Sequence, residues 1–149
     1  MGGHRTRGLR RAWPTMCSVA VLAAASSLPS AARAQSWTGA SSTNWFTPGN
    51  WSPAAIPTAS TDATVDGNSA APAVINAAGA VGKGVTVGSI LPGALDVTGA
   101  GALSVGADGL IIGDFSSGNL TVEAGGNVTE ASGSFAVLGN DPGGSGIWA

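Results

Sequence analysis

From Gly84 onward, short apolar–small–apolar pulses recur along the chain. They are Val85-Thr86-Val87, Leu95-Asp96-Val97, Leu103-Ser104-Val105 and Leu120-Thr121-Val122. Alternation with a period of two residues is the mark of a strand with one buried face. Glycine, Pro92, Asn and Asp fill the gaps, where turns need a positive φ or a fixed bend.

The pulses also repeat as a group. Gly84–Asp108 written above Gly109–Gly133 gives six identities: Gly84/Gly109, Gly88/Gly113, Gly93/Gly118, Leu95/Leu120, Val97/Val122 and Gly101/Gly126. An incomplete third copy, 134–149, places Gly143 in register with Gly93 and Gly118, and Leu138 where Gly88 and Gly113 stood. The interval is 25 residues, a length typical of solenoids and arrays. Three strands and three turns in that interval make one coil of a parallel β-helix, so the fold class is all-β. Coils stack about 4.8 Å apart because none can bury its apolar face alone. The predicted inward ladders are Val85/Leu110/Phe135, Val87/Ile112/Val137, Leu95/Leu120, Val97/Val122 and Leu103/Val128. The outward ones are Asp96/Thr121 and Ser104/Thr129. Glu130 falls below Val105 on an inward ladder, which predicts a bulge there or an end of the regular stack.

Residues 35–83 read differently. Trp37, Trp45, Phe46 and Trp51 crowd into fifteen residues. The end of a solenoid exposes unpaired edges and an open apolar core, so its terminal unit is atypical. Large amphipathic rings suit that covering role. The competing reading makes Trp37, Trp45 and Trp51 a carbohydrate contact, since exposed indole faces stack on sugars. Asp62–Gly67 and Ala73–Asn76 read as strands of an irregular first coil outside the 25-residue register.

Charge divides the chain as sharply as hydropathy does. Arg5, Arg7, Arg10, Arg11 and Arg33, with His4 and Cys17, all precede Gln35. Beyond it, Lys83 stands alone against eight acids. Nucleic acid and anionic membrane surfaces need clustered Lys and Arg, so neither is expected as a partner. Residues 1–34 carry the basic, apolar and small-x-small regions of a secretory signal peptide, the last being Ala32-Arg33-Ala34. Cleavage is expected between Ala34 and Gln35. The apolar run near Met16–Leu28 is shorter than the roughly 20 residues of a spanning helix. The processed chain is left without a thiol, so no disulfide can brace it in an oxidising space.

Little catalytic chemistry is available beyond Gln35, where His, Cys, Arg and Tyr are all missing. Nucleophilic triads need a positioned base. Carboxylate pairs of the kind that hydrolyse glycosides are limited to Asp62 with Asp66 and Asp108 with Asp114. Both pairs read more simply as acids on turns. Gly139–Gly144 is only a turn-like echo of the calcium-binding nonapeptide. We therefore expect no enzyme activity, no cofactor and no metal centre.

The order Trp37-x-Gly39, Asn44-Trp45, Asn50-Trp51-Ser52, Pro57, Asp62 and Val65-Asp66, followed by G-x-L-x-V pulses and Ala136–Asn140, resembles the passenger domains of bacterial autotransporters. The resemblance spans Gln35 to Ala149. It implies a right-handed parallel β-helix exported through a C-terminal outer-membrane barrel, and a structural or adhesive role at the cell surface, in the outer membrane or outside the cell. Implied partners are the export machinery and host or cell-surface glycans or proteins. No run of amphipathic barrel strands follows here, so the chain is expected to be the N-terminal fragment of such a passenger. The alternative is a carbohydrate-binding or carbohydrate-active β-helix.

Overall fold

A computed structural model describes residues 1–2, 33–68 and 70–149. Most of the expected signal segment, positions 3–32, lies outside the described residues. The unit formed by Ala31–Ala149 contains all of the strands. They are β1 (Gln35–Trp37), β2 (Trp51–Ser52), β3 (Ala63–Val65), β4 (Ala73–Ile75), β5 (Ala80–Val87) and β6 (Gly93–Val97). There follow β7 (Ala102–Ile112), β8 (Ser117–Val122), β9 (Asn127–Glu130), β10 (Ala136–Leu138) and β11 (Ser145–Trp148).

These strands stack as a parallel β-solenoid. One sheet runs β10-β7-β5-β3-β1-β2, with β9 on β7, and the other runs β11-β8-β6-β4. Along the first sheet β1, β3, β5, β7 and β10 are five successive parallel rungs. The predicted 25-residue ladders hold between the two complete repeats. Val85 pairs with Leu110, Val87 with Ile112, Leu95 with Leu120, Val97 with Val122 and Leu103 with Val128. All but Val122 and Val128 are buried, and those two pack on the core's edge. Each fully buried Val, Ile or Leu contributes roughly 1.5–3 kcal/mol, which is why the apolar positions alternate so strictly. Asp96/Thr121 and Ser104/Thr129 pair on the outside.

The first coil is three residues shorter. Ala63 pairs with Val85 and Ala73 with Leu95. Two of the missing residues come from one corner, where Lys83 alone stands opposite Gly106, Ala107 and Asp108. The third is lost from the turn after β4. That deletion put the first coil outside the 25-residue register while leaving its strands intact.

The third copy corrects the sequence expectation. Ala136 pairs with Leu110 and Leu138 with Ile112, while Phe135 lies 48% exposed and Val137 pairs with Ile111. The corner after Glu130 holds one residue more than the corner after Val105, which shifts every later position by one. Gly139, not Leu138, then occupies the glycine column, with φ of 76° at Gly88, 77° at Gly113 and 67° at Gly139. Two further residues in the next turn bring Gly146, not Gly143, opposite Gly118. Glu130 does pair with Val105, and among the described residues no further rung pairs with β9.

The column Gly93/Gly118/Gly146 exists for steric reasons. A Cβ at these positions would lie 2.1 Å from the carbonyl oxygens of Val65, Val87 and Ile112 respectively. The preceding coil's backbone already fills the space. Gly118→Ala should therefore destabilise the solenoid by about 1–3 kcal/mol, the usual cost of overpacking. Exposed Asn119→Ala should stay within about 0.5 kcal/mol. Urea midpoints of the two variants check this, and equal midpoints would contradict the steric reading.

Candidate functional site

The N-terminal end of the solenoid is closed by the aromatic segment expected to cap it. β1 lies parallel on β3, and β2 lies antiparallel on the outer side of β1. On the second sheet Asn44 bridges Val74, with Trp45 N–H donating to Val74 O (3.0 Å) and Val74 N–H to Thr43 O (2.7 Å). The cap thus supplies a first rung to both sheets. Between them the three indoles meet edge to face: Trp37–Trp51 centroids are 5.0 Å apart at 81°, and Trp45–Trp51 are 4.6 Å apart at 76°. Such geometry is favoured by the ring quadrupole. Beneath them three inward positions of the first coil, Ala63, Ala73 and Ala80, are small and share one buried cluster with the larger Val65 and Ile75. The next coil carries Val85, Leu95 and Leu103 there. Small residues under large rings leave the volume that the indoles occupy.

This packing corrects the carbohydrate-contact reading of Trp37, Trp45 and Trp51. Their exposures are 6%, 0% and 3%. At these exposures a sugar finds no open indole face to stack on.

Sequence reasoning missed Asn50. It is fully buried and every polar atom of its side chain is used. Its Oδ1 accepts from Ser41 N–H (2.9 Å) and Ser42 N–H (2.8 Å). Its Nδ2 donates to Ser42 Oγ (2.9 Å) and Asn44 O (2.8 Å). Trp51 Nε1 in turn donates to Trp45 O at 2.8 Å. The clue was an Asn set between Gly49 and Trp51 in an aromatic stretch, where a bare polar side chain would be costly.

The candidate carboxylate pairs do not come together. Asp62 and Asp66 bracket β3, so at about 3.3 Å per residue roughly 13 Å of strand separates them. Asp108 and Asp114 bracket the last part of β7 and lie further apart still. Glycosidase pairs need separations of roughly 5–9.5 Å. Asp66 is occupied as a turn tie, accepting from Ser89 N–H (2.6 Å) and Ile90 N–H (3.1 Å). Asp114 accepts from Asn140 Nδ2 at 2.8 Å. Gly139–Gly144 is a turn between β10 and β11, tied to the coil below by Asp141 N–H to Asp114 O.

What the fold does bring together is Asp62 and Asp108, on either side of Gly84. A Cβ at Gly84 would lie 3.2 Å from Asp62 Oδ1 and 3.0 Å from Asp108 Cβ. Asp108 pairs with Lys83 at 2.5 Å, and this carboxylate holds the lysine ammonium above its ordinary range, with Asp62 adding a weaker pull. A shallow groove of about 320 Å³ runs between Ala34, Asp62, Thr64, Gly84, Thr86 and Asp108. Asp62 Oδ1 is buried in it without a hydrogen-bond partner. The missed signal was the register: only the 22-residue step places Asp62, Gly84 and Gly109 in one column.

At the opposite end nothing covers the stack among the described residues. Phe115, Phe135, Leu138, Ile147 and Trp148 are between 44% and 61% exposed, and β9, β10 and β11 each have one unpaired edge.

Residues 36–140 match the model of a family described as a domain of unknown function, DUF8693. The match covers the cap and the coils through β10, well over half of the chain. The chain belongs to this family. No curated protein and no solved structure matches it. The DUF8693 match starts one residue after Gln35, so the aromatic cap lies inside it along with the coils.

Within that domain Asn50 should be the most sensitive polar position. Asn50→Ala leaves the Ser41 and Ser42 N–H groups, the Ser42 hydroxyl and the Asn44 carbonyl without their partner in part-buried hydrogen bonds, at an expected cost of about 2–4 kcal/mol. Lower thermal midpoint and red-shifted tryptophan emission would report an opened cap. An unchanged midpoint would mean that water replaces the side chain.

Proposed function

We propose that this chain forms the N-terminal coils of an exported β-helix passenger of the autotransporter type. In this reading it is a structural and adhesive element with no catalytic site of its own. The observation that carries the proposal is the inequality of the two ends. The N-terminal end is closed by β2, the Trp37–Trp45–Trp51 cluster and the Asn50 network. The C-terminal end presents unpaired parallel edges and five large apolar side chains. Such an end accepts a further coil of the same kind, as repeat architectures require.

The chemistry of the processed segment agrees. An acidic, thiol-free chain with one lysine suits passage through an oxidising compartment without side reactions. Its outer faces carry Thr64, Thr86, Asp96, Ser104, Thr121 and Thr129, short polar groups able to meet glycans or proteins of a facing surface. The export machinery would read the basic and apolar leader, and an outer-membrane barrel would carry the coils across.

The reading is tested by joining the full chain to a translocator barrel in a Gram-negative host. Residues 35–149 are expected to become accessible to an impermeant label on intact cells, with the leader absent by mass. Displayed cells should also adhere to surfaces more than cells carrying the barrel alone. A product held inside with its leader intact would overturn export, and equal adhesion would remove the adhesive role.

A further inference from the structure

Asp62 raises a question that the fold alone does not answer. Its Oδ1 is buried and unpartnered, and a lone buried carboxylate oxygen is expensive. Lys83 does not meet it, because the lysine ammonium is taken by Asp108.

The register identifies what lies above it. Gln35 pairs with Ala63, so Ala34 stands over Asp62 in the same column, and both line the same groove. The Gln35 nitrogen already donates to Asp62 O at 2.7 Å. The bond expected to be cut during export, Ala34–Gln35, is therefore the bond lying across Asp62.

We propose that Asp62 is the receptor for the amino terminus created by signal cleavage. This rests on the export reading above. Hydrolysis of the Ala34–Gln35 amide consumes one water, leaving a carboxylate on Ala34 and an ammonium on Gln35. The neutral N–H that meets Asp62 O becomes a cation, and the Asp62 carboxylate, whose Oδ1 lies toward Gly84, turns across β3 to become its charge-assisted partner. Gln35 is held in place for this. The residue is 5% exposed, and in the amide orientation that satisfies both side-chain atoms its nitrogen donates to Pro53 O (2.6 Å) and Ala55 O (2.9 Å). Those bonds also hold the side-chain amide back from attack by the new amine, which would expel ammonia and destroy the charge. Processing thereby ties down β1, the rung on which the cap rests.

The charged groups around the new amine are Asp62, Asp108 and Lys83. Two carboxylates against one cation raise the amine's folded pKa above its usual value of about 7.7–8.0. A raised folded pKa gives stability that is complete below the unfolded pKa and lost as pH rises through the folded one. The window of loss therefore opens above the unfolded value, from roughly pH 8 upward. Lys83, itself held higher by Asp108, stays charged where that window opens.

The experiment compares the processed chain starting at Gln35 with a chain retaining Ala34, whose amine is displaced by about 3.5 Å. Each is made with Asp62 and with Asp62→Asn. Asp62→Asn should raise the unfolding equilibrium constant about tenfold in the Gln35 form and less than about twofold in the Ala34 form. Only the Gln35 form with Asp62 intact should lose midpoint temperature between pH 7 and 10. Equal effects of Asp62→Asn in both forms would overturn the proposal. So would an intact mass short by one ammonia, since a cyclised Gln35 carries no amine. The secreted product's mass tests the export reading separately. If it does not begin at Gln35, a protease leaving Gln35 first supplies the same chain and the pair is still measured. Should Asp62→Asn prevent folding in both forms, proton titration of the Gln35 amine in the unsubstituted chain decides. A value at or below that of an unstructured peptide overturns the assignment.

Discussion

Stacked coils must approach to within a hydrogen bond of one another, and at the corners this leaves no room for a side chain. The carbonyls of Val65, Val87 and Ile112 occupy the space over Gly93, Gly118 and Gly146. Every other feature depends on that closeness. It sets which positions are glycine, lets each strand pair with the coils above and below, and lines the apolar pulses into continuous columns. It also fixes where the chain can vary. Residues added to a corner bulge outward without disturbing the ladder, as the widening from Lys83 to Gly106–Asp108 shows.

A structure built from nearest-neighbour contacts leaves its ends unsatisfied, and the N-terminal end here is satisfied by three coupled devices. Volume removed at Ala63, Ala73 and Ala80 is filled by three indoles. Edge hydrogen bonds of β1 are taken up by β2. The loop that carries the indoles is tied by Asn50, whose four hydrogen bonds leave nothing exposed. The devices are interdependent, because the indoles pack well only if Asn44 and Trp45 pair with Val74, and Asn50 holds that segment in place.

The periodic part of the fold was legible in the sequence because one constraint wrote the same letters twice. Gly93 and Gly118 are identical since an equivalent carbonyl, of Val65 and of Val87, stands over each, and Leu95/Leu120 since the same core lies beneath. Legibility failed where the coil circumference changed. The three-residue deletion between Ala63 and Val85 hid the register of the first coil. The extra residue after Glu130 turned Phe135 outward against expectation. Polar interior groups were illegible for another reason. Asn50 and Asp62 carry no periodicity, and their partners come from positions that only the folded register brings close. The tryptophans were read correctly as an end structure, yet their burial could not be settled by composition, since a capping ring and a sugar platform use the same residue.

The two ends differ in kind, and that difference constrains how the molecule can associate. A second copy stacking head to tail would meet β2, which already fills the outer edge of β1, and indoles that leave no open core there. A head-to-tail contact is the kind that generates open filaments, so closing one end removes that route to aggregation. The remaining exposed end has parallel edges and apolar side chains but almost no charge beyond Glu130, Asp114 and Asp141. Glu130 is an inward charge on β9, of the kind that commonly blunts a free edge, whereas β10 and β11 carry no charge. The edges of β10 and β11 are thus the ones on this face open to pairing, while that of β9 is guarded. Growth of such a stack then has a single direction, away from the cap.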